Sequence, residues 1–204
     1  MLGKGLLSVK GEKMLEKLFL EMIAYYSGDP KRIQHFTKVH SYAKLIAQME
    51  NVDDQSLFII ETAALTHDIG IHICEEKYGE CGGKLQEKEG PAIAAELLER
   101  LGFDSEVSER VQYLIAHHHT YSNIDGIDYQ ILVEADFLVN YFEDDLDKEH
   151  IRKSAEKIFK TETGKKIVKE MFFPETFQKS ETWAQDALQD LEDFIEEQGI
   201  YIRQ

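Results

Sequence analysis

Histidine and aspartate are placed unevenly in this chain, and their placement suggests chemistry. His67 and Asp68 stand side by side at the end of the apolar run LFIIETAALTHDIG. A carboxylate in such surroundings is costly unless it is paired, hydrogen-bonded or bound to a metal. Upstream lie His35 and His40; downstream lie His117, His118 and His119, and then Asp136 within the apolar run ILVEADFLVN. Imidazole nitrogens and carboxylate oxygens brought from four crossing helices can meet at one divalent cation, and that donor mixture suits iron, manganese, cobalt, nickel or zinc.

The elements that must carry these residues read as helices almost throughout, and no segment shows sustained period-two alternation. Met14, Leu15, Leu18, Phe19, Met22, Ile23 and Tyr26 line one side of a first helix, which Gly28 and Pro30 stop. Asp29 as cap and Pro30 in the first turn open a second helix reaching Met49, with Asn51 to Gln55 as the turn after it. A third, from Gln55 to His67 and ending at Gly70, is apolar nearly all round and should be central, with the His67–Asp68 pair inside it. His72 to Gly90 reads as a long loop, after which Pro91 opens a helix that Gly102 closes. Further helices are expected from Val107 to about His118, over 126–141, and at 148–160, 163–172 and 176–198. The fold class is all-α, in a single domain over 1–204 with a core at 30–142 and a helical extension at 143–204.

The cadence HFTKVHSYA from His35, then AALTHDIG, then EADFLVN resembles the HD superfamily of metal-dependent phosphohydrolases over about residues 30–142. The resemblance implies an HD-domain helical bundle with additional C-terminal helices. It also implies a metal held by His35, His67, Asp68 and Asp136. Helical spacing alone allows either His35 or His40 on the inward stripe; the family's His-x-x-x-Val cadence favours His35, with His40 as the alternative. Some members hold two metals, and the residues here that could serve a second metal or contact phosphate are Glu87, His117 and His118. Glu87 stands where related proteins often carry His, which departs from the two-metal pattern. A run such as His117–His119 can also simply end a helix, where imidazolium suits the dipole. Single-metal nucleotidases of the family place an acid shortly after the His-Asp pair; here the continuation is Ile69-Gly70-Ile71-His72, so His72 is the group available for proton transfer. Catalytic roles would then fall to Asp68, His72 and His118. The implied activity is hydrolysis of a phosphomonoester or phosphoanhydride, nucleotides first, with one divalent ion or two. The missing acid and the acidic surface leave a non-catalytic regulatory or metal-binding module as the alternative. An iron-dependent oxygenase on the same scaffold is a third reading.

Composition narrows the partners. With 23 Lys and Arg against 39 Asp and Glu, the formal charge is −16, so most of the surface would repel a nucleic-acid backbone. A small phosphorylated substrate remains accessible wherever a cation supplies local positive charge. No stretch approaches the roughly 20 uninterrupted apolar residues that span a bilayer, and the expected compartment is cytoplasmic. Cys74 and Cys81 are too few for a disulfide framework and read as bystander thiols. Glu61 reads as a helix residue on a polar seam. Residues 175–204 carry eight acids against two bases, and the apolar residues Trp183, Leu188, Leu191, Phe194 and Ile195 there would bind that helix to the body or to a second copy in a homo-oligomer.

Overall fold

A computed structural model describes residues 9–174. Its described elements are all helical: α1 (Val9–Tyr25), α2 (Pro30–Met49), α3 (Asp54–Thr66), α4 (Ile71–Tyr78), α5 (Gly83–Leu101), α6 (Ser105–Ile115), α7 (Ile127–Glu143), α8 (Lys148–Ile158) and α9 (Glu162–Phe172). The chain divides into two compact units, Met1–Val168 and Lys169–Gln204. Only the last residues of α9 and the two that follow represent the second unit among the described residues. The expected helix at 176–198 lies outside them.

Helix α3 occupies the centre of the first unit and packs against α1, α2, α6 and α7. Its placement follows from its composition: Leu57 and every residue from Ile59 to Thr66 are buried. Each large aliphatic side chain enclosed there contributes about 1.5–3 kcal/mol over leaving it in water. The stretch Asp54–Tyr78 is apolar enough by composition to cross a membrane, yet 72% of its most apolar window is buried inside the fold. Helix α2 begins as its sequence dictates. Asp29 accepts from the Arg32 amide and Pro30 occupies the first turn, where a missing N–H costs nothing. Phe36, Val39, Ala43, Ile46 and Ala47 then face inward.

Two expectations fail here. The segment 72–90 is not a long loop but forms α4 and the first turns of α5. Pro91 does not open α5; it lies inside it. The ring removes one amide donor from the ladder, but burial of Gln86, Glu87 and Gly90 on the preceding turns carries the helix through. The glycines in this segment serve close packing. A Cβ on Gly70 would stand 2.9 Å from the Gly90 amide nitrogen, and one on Gly90 would stand 2.7 Å from Ile115 Cγ2. Their bare backbones let α5 sit directly on the turn after Asp68.

The His67–Asp68 pair also differs from expectation, because it lies at the end of α3 rather than within it. His67 is the C-cap, and Asp68 opens a tight turn. Tyr26 Oη donates to the Asp68 carbonyl at 2.6 Å and Tyr25 Oη to that of Ile69 at 3.0 Å. These phenols, from the last residue of α1 and the one after it, tie the turn to α1; the Asp68 carbonyl also accepts from the Ile71 amide at 3.0 Å.

Candidate metal centre

Four helical segments deliver the cluster. His35 comes from the second turn of α2, His67 and Asp68 from the end of α3, and Asp136 from the middle of α7, where it is buried among Leu132, Val133, Ala135 and Val139. His118 follows the end of α6. His35 Nε2 lies 3.3 Å from His67 Nε2, 3.3 Å from Asp136 Oδ1 and 3.4 Å from Asp68 Oδ2. His67 Nε2 lies 3.5 Å from Asp68 Oδ2 and 3.6 Å from Asp136 Oδ1. Ligands about 2.1 Å from a shared ion stand roughly 3.0–3.4 Å from one another, so these separations are close to those of a ligand shell.

Hydrogen bonding at the far side of each ring sharpens the point. His67 Nδ1 meets the Ala64 carbonyl at 3.0 Å, and His118 Nδ1 meets that of Ile115 at 2.8 Å. A carbonyl only accepts, so Nδ1 carries the hydrogen and, in the neutral ring, Nε2 presents a bare lone pair. His35 Nδ1 likewise faces Glu143 Oε2 at 2.8 Å. The two facing Nε2 atoms of His35 and His67 therefore require a proton or a cation between them. His118 Nε2 is buried with no hydrogen-bond partner, 3.5 Å from Asp68 Oδ1. Such a donor set, with each Nδ1–H anchored by an oxygen, fits a divalent ion.

The electrostatics agree. Burial alone would pull the His35 imidazole down, but the hydrogen bond to Asp136 and the charges of Asp68 and Asp136 hold it up at about 9. His67 is raised by the same carboxylates against its burial. Burial would raise Asp68 and Asp136, and the imidazoles hold both below the usual carboxylate range. The pocket thus favours positive charge among its carboxylates.

Among the described residues, His35, His67 and Asp68 form one group able to hold an ion, and Asp68, His118 and His119 form a second that shares Asp68. His40 does not join them. It faces Glu61 Oε2 at 2.9 Å on another side of α2. His117 turns away too, stacking on Tyr113 with Nδ1 on the Tyr113 carbonyl. Glu87 belongs to neither group; its carboxylate accepts from Thr120 Oγ1 at 2.8 Å, Lys84 Nζ at 3.0 Å and the His119 amide at 3.1 Å. His72 is packed on Tyr25 and Tyr26, ring centroids 5.3 and 4.6 Å away, and reaches the centre only through the Tyr26 bond to Asp68. Of Asp68, His72 and His118, the structure brings together Asp68 and His118.

One site residue escapes the sequence reading, and another enters it only as the last of the His117–His119 run. Glu143, which orients His35, stands seven residues after Asp136, two turns along the same face of α7, so helical periodicity could have found it. His119 contacts Gln86 Oε1 at 2.9 Å through Nε2, and burial lowers it to about 4. Its partners lie on α5, in a segment that does not read as helix, so nothing local marks it. Lys84, an exposed cation at the start of α5, is linked to this second group through its bonds to Glu87 and Thr120.

An all-helical domain that sets a lone histidine, a His-Asp pair and a remote aspartate about one point defines the class. An HD domain family model matches residues 32–141, more than half of the chain, which therefore belongs to the HD domain family. Among solved structures it resembles a predicted HD superfamily hydrolase from an uncultured Thermotogales bacterium, at 25% identity over 91% of each chain and a TM-score of 0.53. It also resembles the selenomethionine form of YpgQ from Bacillus subtilis, at 16% identity over 87% of this chain and 96% of that one, with a TM-score of 0.58; that likeness is one of fold. No curated protein matches the chain in sequence.

Proposed function

We propose that this protein is a divalent-metal-dependent phosphohydrolase that cleaves a phosphomonoester or phosphoanhydride of a small molecule, with nucleotides the first class to test. The observation that carries the reading is the convergence of His35, His67, Asp68 and Asp136: the two imidazole Nε2 atoms stand 3.3 Å apart and each lies 3.3–3.6 Å from one oxygen of either carboxylate, with their lone pairs turned inward. Membership of the HD domain family and the likeness to a predicted HD superfamily hydrolase support it.

In this reading His35, His67, Asp68 and Asp136 hold the ion. When bound, it lowers the pKa of water and offsets charge on phosphoryl oxygens. Glu143 fixes the plane of the His35 ring, and the Ala64 carbonyl does the same for His67. Asp68 has its second oxygen turned toward His118, whose unpartnered Nε2 is placed to take a proton from, or return one to, a group bound beside Asp68. Lys84 at the rim supplies a positive charge that an anionic substrate meets on entry, in a chain whose net charge otherwise repels it.

The test pairs elemental analysis of protein purified without chelator with phosphate release from a nucleotide panel in added manganese, nickel or cobalt. The expected result is near-stoichiometric metal, turnover abolished by chelation, and loss of both metal and turnover in Asp68→Ala. Stoichiometric metal retained in that variant would sink the ligand assignment. Bound metal without release from any phosphorylated compound would sink the enzymatic reading.

A further inference from the structure

The segment between α6 and α7 carries an exposed tyrosine into the neighbourhood of the metal centre. Tyr121 is 44% exposed, and its Oη stands 3.4 Å from His119 Nδ1. A ring nitrogen of His119 in turn lies within 4.8 Å of an Asp68 oxygen. The phenol is therefore two short contacts from the cluster. Its carrier is held by other residues: Tyr129 Oη lies against the His117 and Thr120 carbonyls, and the His119 amide and Thr120 Oγ1 both donate to Glu87 Oε1. The backbone leading to Tyr121 is thus fixed without help from its ring. Ring orientation comes from α7. Phe137, the residue after Asp136, meets Tyr121 edge to face with centroids 4.9 Å apart, and packs the same way on buried Tyr141 at 5.5 Å. A water-facing ring held in this manner is pre-organised for a flat partner, because little freedom is lost when the partner stacks on it.

We propose that Tyr121 is the specificity-determining residue of the site, its exposed ring stacking on the nucleobase of a substrate whose phosphoryl group sits at the metal centre. The inference rests on the hydrolase reading and deepens it, because it separates nucleotides from sugar and alkyl phosphates. Two observations favour a base as the occupant. The surface offered beside the cluster is a π-face, which a saturated sugar or alkyl chain leaves unused. Lys84 Nζ also stands 3.2 Å from Oγ1 of Thr120, the residue before Tyr121, so a cation and an aromatic ring lie side by side, as the phosphate and the base of a nucleotide do. Stacking is tolerant of sequence, since every base has a π-face. Tyr121 therefore selects for a base without selecting among bases.

The experiment is isothermal titration calorimetry of the full-length, manganese-loaded protein with two ligands that cannot release phosphate. One is the adenosine phosphonate in which CH2 replaces the 5′ ester oxygen, and the other is the ribose phosphonate left when its base is omitted. The base should tighten binding to the wild type by at least about fivefold. Tyr121→Ala should abolish that gain, so that the two ligands bind alike, whereas Tyr121→Phe keeps the ring and should retain it. No measurable binding of the adenosine phosphonate, equal affinities in the wild type, a gain that survives in Tyr121→Ala, or one lost equally in Tyr121→Phe would overturn the proposal. Loss of the ribose phosphonate as well in Tyr121→Ala would mark a structural role and overturn it too. Phosphate release from sugar phosphates but from no nucleotide would overturn it while leaving the hydrolase reading standing. The expected gain without turnover of any phosphorylated compound would count against the hydrolase reading alone.

Discussion

Glu143→Ala tests how the metal centre is held together. The glutamate touches no other member of the cluster, yet its Oε2 accepts from His35 Nδ1 at 2.8 Å and its Oε1 from Lys38 Nζ at 2.6 Å. The facing His35 and Glu143 side chains are only 11% and 12% exposed, so solvent screens their bond far less than a surface ion pair. Removing the carboxylate frees the imidazole to rotate and change tautomer, and it lowers the basicity of Nε2. Outer partners of this kind are worth about 10–100-fold in metal affinity, or roughly 1.4–2.8 kcal/mol. Glu143→Gln keeps an acceptor for the Nδ1 hydrogen and loses only the charge, so its loss should stay below about tenfold. Competition against a fluorescent chelator reads the affinities directly, and far-UV circular dichroism of the metal-free proteins checks that α7 remains folded. Wild-type affinity in Glu143→Ala would refute the argument. Equal losses in the two variants would show that charge rather than ring orientation is what matters.

Three further outcomes follow from named contacts. Buried Glu134 accepts from the Lys160 and Thr161 amides, Gln130 Nε2 and Thr161 Oγ1, so Glu134→Ala orphans the donors at the start of α9 and should cost about 2–4 kcal/mol in urea denaturation. Gly90→Ala places a methyl 2.7 Å from Ile115 Cγ2, and the overpacking should cost about 1–3 kcal/mol, seen as a lowered melting temperature. Asp29 caps α2, and the bond from the Arg32 amide lowers its carboxyl below the usual range. A depressed folded-state pKa means that its contribution is present above about pH 4 and is lost as pH falls through the folded value. Asp29→Ala should therefore be about 1 kcal/mol less stable at pH 7, with the gap from wild type narrowing toward pH 2.

What could be read beforehand follows from how locally each feature is encoded. Helix α2 was legible because Asp29, Pro30 and an inward apolar stripe all point the same way, and α3 because residues apolar on every side have no stable place but the centre. Helix α5 was not. Pro91 and four glycines between Gly79 and Gly90 are ordinary helix-breaking signals, and only the approach of α5 to the turn at Gly70 and to Ile115 shows why a side chain is excluded at Gly90. The same limit divides the histidines. His35 and His40 lie five residues apart on one helix, and nothing in their spacing distinguishes a residue facing Asp136 from one facing Glu61. The distinction comes from which helix lies opposite each face: α7 behind His35, with Glu143 and Asp136 on one side of it, and α3 behind His40, with Glu61. The chain thus uses one helix pair, α2 and α3, to carry two buried acid–imidazole contacts. One gathers four donors around a point, and the other leaves a single carboxylate oxygen unanswered.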